Sequence, residues 1–233
     1  MEKVDFLNLI EGYYNIQLTK PQLQYFFSGS RNVAMSSPRR GGKSFIANMD
    51  SLYTCTMPNK SVAIVFPSEA QVKLAKEGII NMTNALFGYI HVLDNVSNYI
   101  RFSNGSKIYL ITAKNFDDGS RGCRFNKVTI EEPDYIINDI ESIEQIAGAC
   151  MCINEDAQLK IVGTHGTVRH NLAAYLLNPY FESITATLNN THLNYSRDRL
   201  VELSQELSED SFFLEVLNQV TPSMLNRHLT GNE

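Results

Sequence analysis

Residues 37–44 read Ser-Pro-Arg-Arg-Gly-Gly-Lys-Ser and constrain the fold more than any other stretch of the chain. The short apolar run 33–37 leads into them, and 44–56 follows with Phe45, Ile46, Met49, Leu52 and Tyr53 at helical spacing. A strand, a glycine turn and a helix in that order aim backbone N–H groups and a helix N-terminus at one anion. Gly41 and Gly42 allow amides to curl round phosphate oxygens with no Cβ in the way. Lys43 supplies a point charge for terminal phosphates, and the Ser44 hydroxyl suits Mg²⁺. The pattern GxxxxGK[ST] fails only at its first position, which is Ser37. Arg39 and Arg40 add two cations inside the loop, unless they form a solvated basic turn. The competing reading of the whole segment is a chance Gly-Lys-Ser in a loop, and the flanking strand and helix argue against it.

The rest of the chain alternates strand-like and helical stretches. Residues 61–66 (SVAIVF) form a continuous apolar run, as expected of a strand covered on both faces. A helical pattern runs from Ser68 to about Leu86. Residues 99–103 and 106–112 flank Asn104-Gly105, a strong hairpin signal, so an antiparallel pair is expected within a mainly parallel sheet. Residues 127–131, 159–163 and 181–187 read as further strands, with a helix over 141–149 and a helical tail over 196–220. With 233 residues, 43% hydrophobic and 19% charged, the chain suits one α/β domain and not a disordered one. No apolar run is long enough to span a bilayer, and acids interrupt the N-terminal hydrophobic stretch, so neither a membrane partner nor a secretory signal is expected. Four widely spaced cysteines do not form a disulfide framework, which points to a reducing compartment.

A phosphate loop needs an acidic partner. Val128-Thr129-Ile130 ends in Glu131-Glu132. In such an arrangement the first acid holds Mg²⁺, commonly through water, and the second polarises the attacking water. Adjacent acids could instead mark a solvated loop entry. The first acid is Glu where Asp is usual, so its reach to the metal differs.

Taken together these motifs resemble the ATPase domain of viral terminase large subunits, the motors that pump DNA into preformed capsids. Leu18-Thr19-Lys20-Pro21-Gln22 is similar to the family's adenine-recognition motif, with Gln22 as its glutamine and Gln24 as the alternative. The segment Pro38-Arg39-Arg40-Gly41-Gly42-Lys43-Ser44 resembles the family's deviant phosphate loop. Ile100–Ile108, Ser120-Arg121-Gly122 and Gly163-Thr164 are further matches in compatible order. The resemblance implies a RecA-like P-loop NTPase of the additional-strand, catalytic-glutamate type, binding ATP and Mg²⁺. It implies a metal role for Ser44 and Glu131 and a catalytic role for Glu132. Arg39 would stabilise the γ-phosphate, and Arg121 would be offered to a neighbouring subunit's ATP, with Arg124 as a competitor. Thr164 would relay hydrolysis to DNA movement, although His165 departs from the family pattern. Residues 1–180 would form the ATPase core and 181–233 a helical lid, with no nuclease domain in this chain.

The formal net charge of −5 hides segregation. Residues 101–127 carry Arg101, Lys107, Lys114, Arg121, Arg124 and Lys127 against two Asp, while 131–144 carry six acids and no base. A basic face could grip DNA phosphates without reading bases, or the lysines could simply solvate a hairpin. The implied partners are double-stranded DNA, the capsid portal, the small terminase subunit and a nuclease domain or separate nuclease. A homo-oligomeric ring on the portal is expected, in the host cytoplasm and transiently docked on the procapsid. A helicase-like remodeller and a nucleotide-gated scaffold without turnover are the alternatives. Cys150-Met151-Cys152 lacks a second pair at zinc spacing. The acids of 202–215 read as the wet face of terminal helices, with Phe212 and Phe213 docking the other side.

Overall fold

The computed structural model describes residues 1–219 apart from 97, 121, 137–142, 144, 146, 149, 150, 153, 166–170 and 194, with only the backbone described at 119 and 120. Arg121 and Cys150 therefore lie outside the described residues. Eight strands make one sheet: β1 (Asn32–Ser36), β2 (Ser61–Phe66), β3 (Val92–Val96), β4 (Tyr99–Phe102), β5 (Lys107–Thr112), β6 (Lys127–Glu131), β7 (Gln158–Gly163) and β8 (Glu182–Thr185). Their order is β3-β4-β5-β2-β6-β7-β1-β8. All neighbours are parallel except β3–β4 and β4–β5.

This order matters for function. The glycine loop follows β1, the adjacent acids end β6, and β7 is inserted between those two strands. In parallel strands all three C-terminal ends open on the same crevice, where α/β sheets bind ligands. The tip of β7, Gly163-Thr164, is thus held between the phosphate loop and the acids.

Period-2 alternation along the strands feeds two cores. On β2, Val62, Ile64 and Phe66 face one cluster with α1 (Lys3–Tyr14), α2 (Lys20–Phe27), α3 (Lys43–Thr56) and α4 (Glu69–Thr83). Ala63 and Val65 face the other, which includes Phe116, Phe125, Ile143, Ala147, Met151 and Leu172. The described residues of the 143–151 stretch are mostly helical, and the four-residue spacing of these three apolar residues puts them on one stripe.

The Asn104-Gly105 hairpin forms as expected and has a second task. Asn104 Nδ2 donates to the carbonyls of Cys55, Thr56 and Met57 at 2.7, 3.3 and 3.3 Å, closing the C-terminal end of α3. Gly105 has φ 85°, and a Cβ there would lie 2.3 Å from Asn59 Oδ1. The turn therefore ties the far end of the phosphate-loop helix to the sheet. Strand β3, the outer neighbour of β4, was not expected. Its weakly alternating LDNV sequence and a bulge between Val92 and Asp94 conceal it.

The basic face, weighed against a merely solvated hairpin, loses one of its cations to the core and has others engaged. Lys127 is only 3% exposed, and its Nζ lies 2.6 Å from Oδ2 of fully buried Asp50 on α3. Arg101 is ion-paired with Asp94, and Lys107 sits over the Tyr99 ring. Lys114 and Arg124 remain exposed. The cause is the period of the strand. Lys127, Thr129 and Glu131 share the face of β6 that packs on α3 and form a polar seam there.

The interval 181–233, expected as a helical lid, begins with β8, which pairs with β1, so the sheet extends past residue 180. Helix Arg197–Glu206 is exposed, capped by Ser196, and carries the Arg199–Glu202 and Arg199–Glu206 pairs. The following turn, Phe212–Leu217, buries Leu214 and Val216 while Phe212 and Phe213 stay half-buried. Leu214 and Val216 thus perform the docking expected of the phenylalanines. Glu215 leaves the wet face and reaches the phosphate loop.

Candidate active site

The loop 37–42 folds tightly under β1. Ser37 is fully buried and its N–H donates to the Gly163 carbonyl at 3.0 Å. A Cβ on Gly41 would sit 2.2 Å from Ser37 Oγ and 3.0 Å from the Pro38 carbonyl oxygen, so this position in the loop has no room for a side chain. Gly42, at φ 78°, is the N-cap of α3, and Arg40 also adopts the left-handed region at φ 64°. A non-glycine residue there costs about 1 kcal/mol or more. The loop thus turns sharply from β1 into the N-terminus of α3, where an anion would meet the helix amides.

Gln22 supports this cradle from behind. Its Oε1 accepts from the Thr19 N–H at 2.8 Å in a capping box, while its Nε2 donates to the Gly41 carbonyl at 3.2 Å. A Cβ on Gly42 would meet the same Nε2 at 2.5 Å. Gln24, the alternative, points elsewhere and reaches Glu182.

Lys43 and Ser44 open α3 and each meets one of the two acids. Ser44 Oγ donates to Glu131 Oε2 at 2.6 Å. Lys43 Nζ lies 3.1 Å from Glu132 Oε1. Glu131 is 3% exposed, and burial pushes its carboxyl up to about 7; the nearby Glu132 adds to this while the Ser44 hydroxyl and Lys43 oppose it. Glu131 Oε1 is buried without a hydrogen-bond partner among the described residues. The Ser44 hydroxyl and the Glu131 carboxylate, one of whose oxygens is buried and unsatisfied, form a hard-oxygen donor pair that fits Mg²⁺ completed by phosphate and water.

Glu132 is held from three sides. Its backbone adopts φ 51°, its N–H donates to the Val162 carbonyl at 2.8 Å, and its Oε2 accepts from the Thr164 N–H at 2.8 Å. Strained backbone of this kind clusters at functional sites. Pro133–Tyr135 then turn away, and the Asp134 carboxylate accepts from the Leu172 N–H, anchoring helix Asn171–Leu177 against the turn. Gly163 has no room for a Cβ, which would lie 2.9 Å from Pro133 Cδ and 3.2 Å from Glu132 Oε2. Thr164 Oγ1 is buried with no hydrogen-bond partner among the described residues.

Arg39 lines an open cleft of about 280 Å³ with Glu132, Thr164, Tyr135, Ser68 and Gln71. Its Nε lies 2.6 Å from Glu215 Oε2 and its Nη2 donates to the Tyr135 hydroxyl at 3.3 Å. Burial pulls the guanidinium down, but the bonds to Glu215 outweigh it and hold its pKa above the ordinary value. The structure thus gathers Ser37, Pro38, Arg39, Arg40, Gly41, Gly42, Lys43, Ser44, Gln22, Glu131, Glu132 and Thr164 round one crevice. Tyr135, Gln71 and Glu215 join that crevice unannounced. Gln71 and Tyr135 follow strand ends and could have been sought there; Glu215 lies 176 residues from Arg39 and carries no local signal.

The sequence of residues 34–157 matches the family described as terminase large subunit, T4likevirus-type, N-terminal, and this is just over half of the chain. The chain belongs to that terminase family. No curated protein sequence matches it. Among solved structures, its fold is similar to the Thermus phage P74-26 large terminase ATPase domain, with a TM-score of 0.73 and 15% identity over 91% of this chain and 96% of that one. The HK97 bacteriophage large terminase gives 0.73 and 15% over 94% of this chain and 55% of that one. A large terminase from a thermophilic bacteriophage, in complex with ADP, gives 0.70 and 14% over 86% and 52%. The chain thus spans nearly all of a terminase ATPase domain and about half of a complete large terminase. The additional strand β7, between β1 and β6, is the RecA-like arrangement expected for that domain.

Proposed function

We propose that this terminase ATPase domain hydrolyses ATP with Mg²⁺ and couples that hydrolysis to moving double-stranded viral DNA into a procapsid. The observation that carries the reading is the Lys43–Glu132–Thr164 chain, at 3.1 and 2.8 Å, which joins the phosphate loop, the catalytic carboxylate and the tip of the inserted strand. The glycine-loop amides and Lys43 hold the phosphates, and Gln22 keeps the loop in shape. Ser44 and Glu131 are the residues that would hold Mg²⁺, which when bound neutralises charge on the transferring phosphoryl group. Glu132 orients and deprotonates the attacking water, its second oxygen fixed by the Thr164 amide. Arg39 stabilises charge spread over the phosphoryl oxygens. A shift at Thr164 on loss of the γ-phosphate moves β7, the route by which hydrolysis reaches DNA.

DNA is held through phosphate, with Lys114 and Arg124 among the exposed cations of the 101–127 region. The small terminase subunit, a portal, a nuclease and neighbouring copies in a ring are the partners, and the setting is host cytoplasm at the procapsid. Arg121 serves a neighbour's site on the strength of the resemblance. The test is DNA-stimulated ATPase activity followed by an in vitro packaging reaction with portal-bearing procapsids. Protection of DNA from nuclease by wild type but not by Glu132→Gln is the expected result. ATP turnover indifferent to both DNA and procapsids would remove the motor role and leave the hydrolase.

A further inference from the structure

Helix α3 opens with Lys43 and, seven residues and nearly two turns later, carries Asp50 on the same stripe. Asp50 is fully buried and faces two ammonium groups: Lys127 Nζ from β6 at 2.6 Å and Lys160 Nζ from β7 at 3.1 Å. One carboxylate thus meets two buried cations, one more than a neutral pair needs. Buried charge is costly, and apolar side chains of similar volume often serve as well or better in its place. A departure of this kind from a simple core is expected where position matters to function.

The two lysines are not equivalent. Strand β6 has a second tie to α3, the Ser44–Glu131 hydrogen bond at 2.6 Å. Among the described residues, Lys160–Asp50 is the one polar contact between β7 and α3. Lys160 is fully buried, and its Nζ also donates to the Tyr25 carbonyl at 2.8 Å and stands 4.4 Å from the Tyr25 ring centroid. That carbonyl belongs to the last turn of α2, where a cation complements the helix end, and Lys3 takes the next one, of Phe26, at 2.6 Å. One ammonium therefore joins β7, α3 and α2. Four residues further along the chain from Lys160, the Thr164 N–H holds Glu132 Oε2.

We infer that Lys160 is a positioning residue: it fixes the inserted strand β7 against helix α3 and so sets the Thr164–Glu132 contact relative to Lys43. This rests on the reading of the crevice as an ATP-hydrolysing site and deepens it. Without the ammonium, β7 keeps its backbone pairing with β6 and β1 but loses its polar anchor on α3. Glu132 then departs from the place that the phosphate loop requires, and a misplacement of about 1 Å can cost about 10²-fold in rate. The cradle keeps its shape, because Thr19 still boxes Gln22 at the other end of α2 and Gln22 still reaches Gly41.

The test compares Lys160→Met with Lys127→Met in the full chain. Each variant leaves one lysine paired with Asp50, so both are expected to fold, with similar Tm values. Steady-state ATPase kinetics should show kcat about tenfold lower in Lys160→Met, with KM and ATP-γ-S affinity within about twofold of wild type. Lys127→Met should stay within about twofold of wild type in all three quantities. Equal kcat values for the two variants, or a Lys160→Met loss carried by KM and ATP-γ-S affinity instead of kcat, would overturn the inference and leave the ATP site standing. A Lys160→Met protein that unfolds where Lys127→Met folds would overturn it too, since the ammonium would then be needed for folding and not for placement. Wild type that neither binds ATP-γ-S nor hydrolyses ATP would remove the ATP site itself and the inference with it.

Discussion

Lys43 Nζ stands 3.1 Å from Glu132 Oε1, so the cation that opens α3 and the second of the adjacent acids neutralise one another. On the proposed reading, incoming phosphates draw Lys43 off that carboxylate. The exchange releases Glu132 to face water while Thr164 still holds its other oxygen. Glu132→Gln should therefore bind ATP-γ-S at least as tightly as wild type, because the lysine gives up a weaker partner. Lys43→Ala should bind it at least tenfold more weakly. Titration calorimetry on the two variants checks the pair of outcomes.

The Glu131 carboxyl is pushed up to about 7, above the unfolded value, by burial and by the neighbouring Glu132, against the opposing Ser44 hydrogen bond. The folded protein therefore takes up a proton between pH 4.5 and 7 that the unfolded chain does not. That contribution to stability is present below the unfolded pKa and is lost as pH rises through 7. In buffer with chelator, Tm of wild type should fall relative to Glu131→Gln between pH 5 and 8. Parallel Tm curves for the two proteins would contradict the assignment.

Asp50 is fully buried between Lys127 Nζ at 2.6 Å and Lys160 Nζ at 3.1 Å. Asp50→Ala leaves two buried ammonium groups without their carboxylate and should destabilise by about 3–5 kcal/mol. Burial draws Lys127 down to about 8 despite Asp50. A lysine lowered in the fold costs stability while it stays charged, and that cost fades as pH rises from 8 towards 10.5. Urea unfolding should accordingly show wild type gaining on Lys127→Met over that range.

Gly163→Ala places a methyl 2.9 Å from Pro133 Cδ and 3.2 Å from Glu132 Oε2, against a proline ring that cannot swing aside. The displaced carboxylate should cost kcat tenfold or more, with KM changed little, since the phosphate cradle lies on other residues. Steady-state kinetics on this variant separates the two quantities.

How much of this was legible in the residues depends on sequence distance. The phosphate loop, the acids after Ile130 and the Asn104-Gly105 turn are contiguous and dictated by local backbone needs, so they could be read directly. Thr164 could be placed because it ends an apolar strand. Lys127 misled, because a lysine's charge shows in sequence while its strand face does not, and Asp50 lies on a helix 77 residues earlier. Glu215 looked like one of several acids on a wet helix, and only the return of the chain over β1 gives it Arg39. The edge strand β3 was hidden by a bulge and by polar residues on both faces.

The most direct measurement is steady-state ATP hydrolysis by wild type, Glu132→Gln and Lys43→Ala at rising protein concentration, with and without double-stranded DNA. General-base catalysis contributes on the order of 10²–10⁴ in rate, so Glu132→Gln should fall by that factor and Lys43→Ala to background. Wild-type turnover no greater than that of Lys43→Ala under every condition would contradict the account.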